Sequence, residues 1–222
     1  MSLVSFVLLG ALLGAAEGLG PDSAPPVPPP SLVGLPPVGP WLLDQGGSPA
    51  RWLGHPYQGR TLLEPINVVV IDPFAGSADE ASRKVLEASA AGGFGVSLGH
   101  SCGYQGLIGG RAFSQLPVQK NTAFSDGMPF STNDHGRLLG PARSDRGWVF
   151  TGGFSRESFH LWSPIHHQFV SFNQAREAYG RKVTATGRYR IVGYLSLGNV
   201  AVEASTTTGD HDGRALVVEA LR

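Results

Sequence analysis

The sequence predicts an α+β domain built on a mixed sheet, and three observations carry that prediction. Residues 66–71 form a nearly all-apolar run, broken only by Asn67, the pattern of a strand buried on both faces. A capped amphipathic helix follows that run almost at once. Beyond the helix the chain is loop-rich and glycine-rich, and its remaining strand and helix signals come in mixed order.

Composition fits that class. The 222 residues suit one domain with a tail, and the 31 glycines with only 15% charged residues argue against a helical bundle or a disordered chain. Formal net charge is zero, so no electrostatic case exists for nucleic acid or for an anionic membrane surface. A single cysteine, Cys102, cannot form an intrachain disulfide. It is either a reactive thiol or a small, partly buried side chain, and the second reading is favoured.

Residues 1–20, MSLVSFVLLGALLGAAEGLG, carry an apolar run at 3–16 that is short for a membrane span. They read as a secretory signal peptide cleaved near Ala15 or Ala16, although no Lys or Arg follows the terminal amine. No membrane span is then expected in the mature chain. Residues 21–40 hold nine of the 17 prolines and read as an extended polyproline-like linker. The folded domain is placed at 41–222.

Within it, Pro73 and Gly76 end the buried strand. Ser77 and Glu80 then form a capping box for a helix over 78–91, with Ala81, Val85 and Ala88 on its apolar face. Gly92-Gly93 stops that helix. Short strands and turns are expected from 94 to 153, the clearest strand lying at 146–151. A short helix is expected over 171–179, capped by Ser171 or Asn173. Residues 188–204 read as two strands with a turn near Gly198-Asn199, and 215–221 as a last strand.

Gly99-His100-Ser101-Cys102-Gly103 matches G-x-S-x-G, the pattern of a nucleophile elbow. An elbow needs a helix after its serine. The following Tyr104-Gln105-Gly106-Leu107-Ile108-Gly109-Gly110 has three glycines in seven residues, each costing about 1 kcal/mol in a helix interior. The favoured reading is a loop in which Gly99, Gly103 and Gly106 supply unusual backbone angles and exposed amides.

None of the seven histidines sits in a familiar metal spacing. Asn133-Asp134-His135-Gly136-Arg137 and Gly209-Asp210-His211-Asp212-Gly213 stand out because a carboxylate can orient an imidazole or share a metal with it. Asp, Asn and Gly also favour turns for backbone reasons alone. Arg137 and Arg156 are candidate clamps for carboxylate or phosphate.

Three segments together resemble the LssY C-terminal-like domain. They are Glu64-Pro65-Ile66-Asn67-Val68-Val69-Val70, Phe150-Thr151-Gly152-Gly153-Phe154-Ser155-Arg156-Glu157, and His166-His167-Gln168-Phe169-Val170 leading into Asn173-Gln174-Ala175-Arg176-Glu177. The resemblance spans roughly 62–182. It implies a cell-envelope setting and no established reaction, and it lowers the α/β-hydrolase reading because that fold orders its elements differently.

The function expected is therefore an exported domain that binds a small polar or anionic ligand, or an envelope component, between the 99–110, 133–137 and 209–213 loops. Gly99, His100, Gly103, His135, Arg137, Arg156 and Asp210 are its candidate contacts. The rival is a hydrolase. In one version Ser101 attacks with His211 as base and Asp126, Asp134 or Asp145 as orienter. In the other, a divalent metal held by His100, His135 and His211 activates water. A structural envelope module is the third class.

Overall fold

A computed structural model describes residues 32–128, 130–163 and 166–222, without the side chains of 53–55. The expected signal peptide and the 21–31 part of the linker lie outside the described residues. In chain order the elements are β1 (Arg51–Tyr57), β2 (Arg60–Leu63), β3 (Val68–Asp72), α1 (Ala78–Ala91), β4 (Gly95–Leu98), β5 (Gln105–Ile108), β6 (Arg111–Leu116) and β7 (Thr122–Ser125). There follow β8 (Asn133–Ser144), β9 (Gly147–Phe159), β10 (His167–Ser171), α2 (Phe172–Ala185), β11 (Tyr189–Ser196), β12 (Thr206–Thr207) and β13 (Arg214–Ala220).

The main sheet runs β11-β13-β3-β9-β8-β6-β5, with β10 joined to β9 and the β4–β7 pair joined to β8. It is mixed, because β13 runs parallel to β3 while β3 and β9 are antiparallel. A smaller sheet has the order β1-β2-β12. The expectation of an α+β mixed sheet holds at this level, with strands outweighing the two described helices.

β3 sits between β13 and β9, and every residue in it is fully buried. Its even-numbered valines, Val68 and Val70, join Phe150, Phe154 and Leu138 under the two helices. Its odd-numbered Val69 and Ile71 face the other way, onto Val149, Val217 and Leu32. Both faces are thus covered, which explains why the run lacks alternation.

α1 keeps its expected bounds because its signals are local. Ser77 Oγ accepts from Glu80 N at 3.1 Å, and Glu80 Oε2 accepts from Gly76 N at 2.9 Å. α2 is capped by Ser171, whose Oγ accepts from Gln174 N at 2.9 Å. It continues to Ala185 rather than stopping near 179. Packing decides that: Tyr179 stacks on Phe154 with centroids 4.2 Å apart, and a Cβ on Gly180 would lie 2.2 Å from Leu216 Cδ2. A glycine that weakens the helix locally lets it sit close on the sheet.

Two expectations are corrected. The described part of the linker, 32–40, is not a spacer: Leu32 is buried among the residues behind β3, and Val38 bridges Ile108. Prolines remove donors, but Leu32, Leu35 and Val38 still contribute apolar surface to this cover. Residues 188–204 are not a hairpin either. After β11 the chain turns inward, and Asn199 Nδ2 donates to Pro40 O and Ile66 O, at 2.7 and 2.9 Å.

Candidate functional site

β8 and β9 form the longest pairing in the molecule, and its two faces differ in chemistry. Side chains alternate across a strand, so Asn133, His135 and Arg137 share one face of β8. The register sets Glu157 opposite Asn133, Ser155 opposite His135 and Gly153 opposite Arg137. All five of the side chains on this polar stretch are buried. On the other face Gly136 clears room for Phe154, whose ring would lie 2.4 Å from a Cβ there.

The polar face is wired by hydrogen bonds. His135 Nε2 lies 3.4 Å from Ser155 Oγ, and His135 Nδ1 lies 3.3 Å from Asn133 Oδ1. Asn133 Nδ2 donates to Glu157 Oε1 at 3.2 Å, and Trp52 Nε1 from β1 donates to Ser155 Oγ at 3.3 Å. His167, at the start of β10, places Nδ1 3.0 Å from Glu157 Oε1.

The 99–104 loop closes over this face. Gly99 and Gly103 have φ of +91° and +88°, a region that a side chain disfavours. Between them His100 stacks on His135, centroids 4.9 Å apart. His100 is 8% exposed, and its Nε2 is buried without a hydrogen-bond partner among the described residues. Ser101 O accepts from Arg137 Nε and Nη2 at 3.2 and 2.7 Å, and Ser101 Oγ takes a longer bond from Nη2 at 3.3 Å. The Arg137 guanidinium also lies over the Tyr104 ring, 4.5 Å from its centroid.

Arg137 is 3% exposed, yet it forms no ion pair among the described residues. Burying a cation without a carboxylate costs heavily. Its field reaches its neighbours. Burial first and Arg137 second push His100 down to about 4 and hold His135 well below its ordinary value. Two carboxyls feel the guanidinium from further off. Burial raises Glu64 and Glu157 above the usual carboxylate range; the Arg137 charge offsets part of the rise at Glu64, and at Glu157 His167 and the Asn133 hydrogen bond do so ahead of Arg137. The site therefore holds a fixed positive charge beside two neutral imidazoles, one with an unused ring nitrogen.

Of the residues expected to converge, Gly99, His100, Ser101, Gly103, His135 and Arg137 do so. Arg156, Asp210 and His211 do not. Arg156 points to the helix side, where Nε and Nη2 hold both oxygens of Asp134 at 2.7 Å. Asp210 braces the start of α2 through Phe172 N at 2.8 Å and Ser171 Oγ. His211 is buried elsewhere: Nε2 lies 2.8 Å from Asn199 Oδ1, and Phe172 lies edge-on to its ring. The 209–213 segment resembled a site because Asp, His and Gly also build a buried bracket.

These placements correct two earlier readings. His211 does not join His100 and His135 as a metal ligand, and no three metal-binding side chains group suitably among the described residues. Ser101 is not followed by a helix but leads into strand β5. Its Oγ lies 2.9 Å from Tyr104 Oη rather than against His211, and Asp126 and Asp134 are engaged by Lys182 and Arg156. Cys102 Sγ donates weakly to Asn121 Oδ1, and with Gly103, Tyr104 and Lys120 it lines an open cleft of about 590 Å³ on the outer side of the loop.

Six contributors escaped the sequence reading: Trp52, Glu64, Tyr104, Ser155, Glu157 and His167. The usable signal was the period-two alternation of Asn133, His135 and Arg137, which Asn, Asp and Gly disguised as a turn. Compared with known protein families, with curated proteins and with solved structures, the chain shows no significant match. No described helix is long and apolar enough to cross a membrane.

Proposed function

We propose that this is an exported binding domain for a small polar ligand carrying a carboxylate or phosphate, received between the 99–104 loop and the β8–β9 face. One observation carries the reading: Arg137 is a buried guanidinium with no carboxylate at ion-pair distance among the described residues. An anion brought to it gains a charge-assisted, bidentate partner that offsets the desolvation cost of the buried guanidinium. The unpartnered Nε2 of His100 supplies a second recognition point. Export and kinship with the LssY C-terminal-like domain belong to the same proposal. Mature protein recovered outside the cell with its N-terminus just after Ala15 or Ala16 supports export. An N-terminus at Met1 contradicts it.

The binding test is thermal unfolding of wild type and Arg137→Gln with phosphate, sulfate, malonate and a neutral sugar. At a hundredfold excess over Kd, a site-bound anion raises the wild-type Tm by roughly 5 °C or more. Arg137→Gln abolishes that rise, and the neutral sugar has no effect. Equal shifts in both proteins, or none in either, defeat the proposal.

A further inference from the structure

We propose that Ser155, His135 and Asn133 form an acyl-transfer centre inside the same site, and that its substrate class is an ester bearing a carboxylate or phosphate. The identity of the ester rests on the Arg137 reading, but the nucleophile does not.

The argument is one of hydrogen-bond polarity. Asn133 Nδ2 donates to Met128 O, Ser131 O and Glu157 Oε1, so its Oδ1 is the acceptor that faces His135. His135 Nδ1 therefore carries the ring proton, 3.3 Å from that oxygen. Nε2 is left with a lone pair, 3.4 Å from Ser155 Oγ. Trp52 Nε1 already donates to Ser155 Oγ, so the hydroxyl's own proton is free to point at Nε2. Nucleophile, base and orienting amide thus stand in the order that activates a serine. Both histidine contacts are long, as such contacts often are before substrate binds.

Two further features fit. Burial keeps His135 in the neutral form a base requires. Arg137 is the next residue on the same face of β8, roughly 7 Å along the strand, which places an anchored anion a few bonds from the reacting carbonyl. Ser155 is only 3% exposed, and its roof is Trp52 on β1. The β1–β2 register is broken between Arg51 and Pro56, so the roof belongs to an irregular hairpin; in this proposal the substrate reaches Ser155 by displacing it.

In the first half-reaction Ser155 Oγ bonds to the acyl carbon while Nε2 takes its proton. The bond from that carbon to the alkoxy oxygen breaks, and the alcohol leaves with the proton. In the second, water gives a proton to Nε2 and attacks the acyl carbon. The bond from the acyl carbon to Ser155 Oγ breaks, Oγ takes the proton back from Nε2, and the acid is released. The sum is ester plus water to acid plus alcohol, with no oxidant or reductant.

The test is incubation of the full chain with a fluorophosphonate probe and peptide mapping of the label by mass spectrometry. In parallel, hydrolysis of 4-nitrophenyl butyrate is compared with that of the mono-4-nitrophenyl ester of glutaric acid. The expected results are a label on Ser155, preference for the charged ester, and loss of at least about a thousandfold in rate in both Ser155→Ala and His135→Gln. Circular dichroism confirms that each variant folds. If one does not, the mapped position of the wild-type label decides. A label on Ser101, or no label and no hydrolysis, overturns the proposal. If Arg137-dependent anion binding persists in that case, the binding reading stands alone.

Discussion

Arg137 and Arg176 are alike in burial, each 3% exposed, and each lies over a tyrosine ring. Their partners differ. Arg176 Nη1 and Nη2 reach the two oxygens of Asp212, at 2.7 and 3.2 Å, and its Nε reaches Glu177 Oε1 at 2.9 Å. Its Nη1 also donates to Arg214 O at 2.8 Å. Arg137 has the carbonyl and hydroxyl of Ser101 and, among the described residues, no acid at ion-pair distance. Arg176 closes a circuit that ties α2 to the segment before β13, and both its charge and its donors are used. Arg137 has its donors partly used and, among the described residues, no carboxylate at ion-pair distance. A fold that only needed a brace there could place a leucine at that position at lower cost. The difference separates a charge kept for structure from one kept for a visitor.

The two arginines respond differently to removal. Arg176→Met removes the guanidinium that Asp212 and Glu177 share, leaving Asp212 with Arg214 and Glu177 with Tyr194, and lowers unfolding free energy by about 3 kcal/mol, measured by urea titration. Both acids are partly solvated, which places the loss at the low end of the range for broken buried pairs.

The next effect is in pH. Burial holds His100 and His211 down to about 4, and His135 shifts the same way. Below their ordinary value of about 6.5 the unfolded chain binds protons that the folded chain refuses. Stability therefore rises with pH from about 4 to 6.5, and each histidine contributes a slope of up to about 1.4 kcal/mol per pH unit. His100→Asn and His211→Gln each flatten that slope in urea titrations between pH 4.5 and 7. A saturating anion also flattens it in wild type by favouring protonated His100, and it has no such effect in His100→Asn. An unchanged slope in His100→Asn separates that residue from the buried imidazoles.

The smallest effect is at the ring beneath the guanidinium. Tyr104→Phe keeps the aromatic face under Arg137 and removes only the contact with Ser101 Oγ, for a loss of about 1 kcal/mol or less. Tyr194→Phe, under Arg176, removes hydroxyl contacts to Glu177 at 2.9 and 3.0 Å and costs a similar amount. Only Tyr104→Phe should alter anion affinity, through a looser 101–104 loop, which calorimetric titration reads.

What the sequence made legible was local. α1 could be bounded from its text because its cap, apolar face and glycine stop lie within sixteen residues of one another. The second half of α2 could not, because Gly180 and Val183 disfavour a helix until the sheet packs against them. The buried strand was legible as a nearly all-apolar run, though it begins at Val68, just past the Asn67 that interrupts that run. Half of the site was readable on the same terms: glycines in the 99–104 loop, and His135 with Arg137 two residues on. The other half depends on the register of β8 with β9, which brings Ser155 and Glu157 opposite residues some twenty positions earlier. The 209–213 motif misled for a related reason. Its composition suited a ligand loop, but Arg176 and the start of α2 take up its acids.

The central claim is that the Arg137 charge is kept for an anion and not for the fold. The most direct measurement is the unfolding free energy of wild type and Arg137→Met in a buffer free of carboxylate and phosphate, and again with saturating phosphate. The account predicts that the variant stays within about 1 kcal/mol of wild type, or exceeds it, in the first buffer, because an unpaired buried charge has gone. It also predicts that phosphate stabilises wild type alone. A variant that loses about 3 kcal/mol in the first buffer, as Arg176→Met should, and gains as much from phosphate as wild type does, would contradict it.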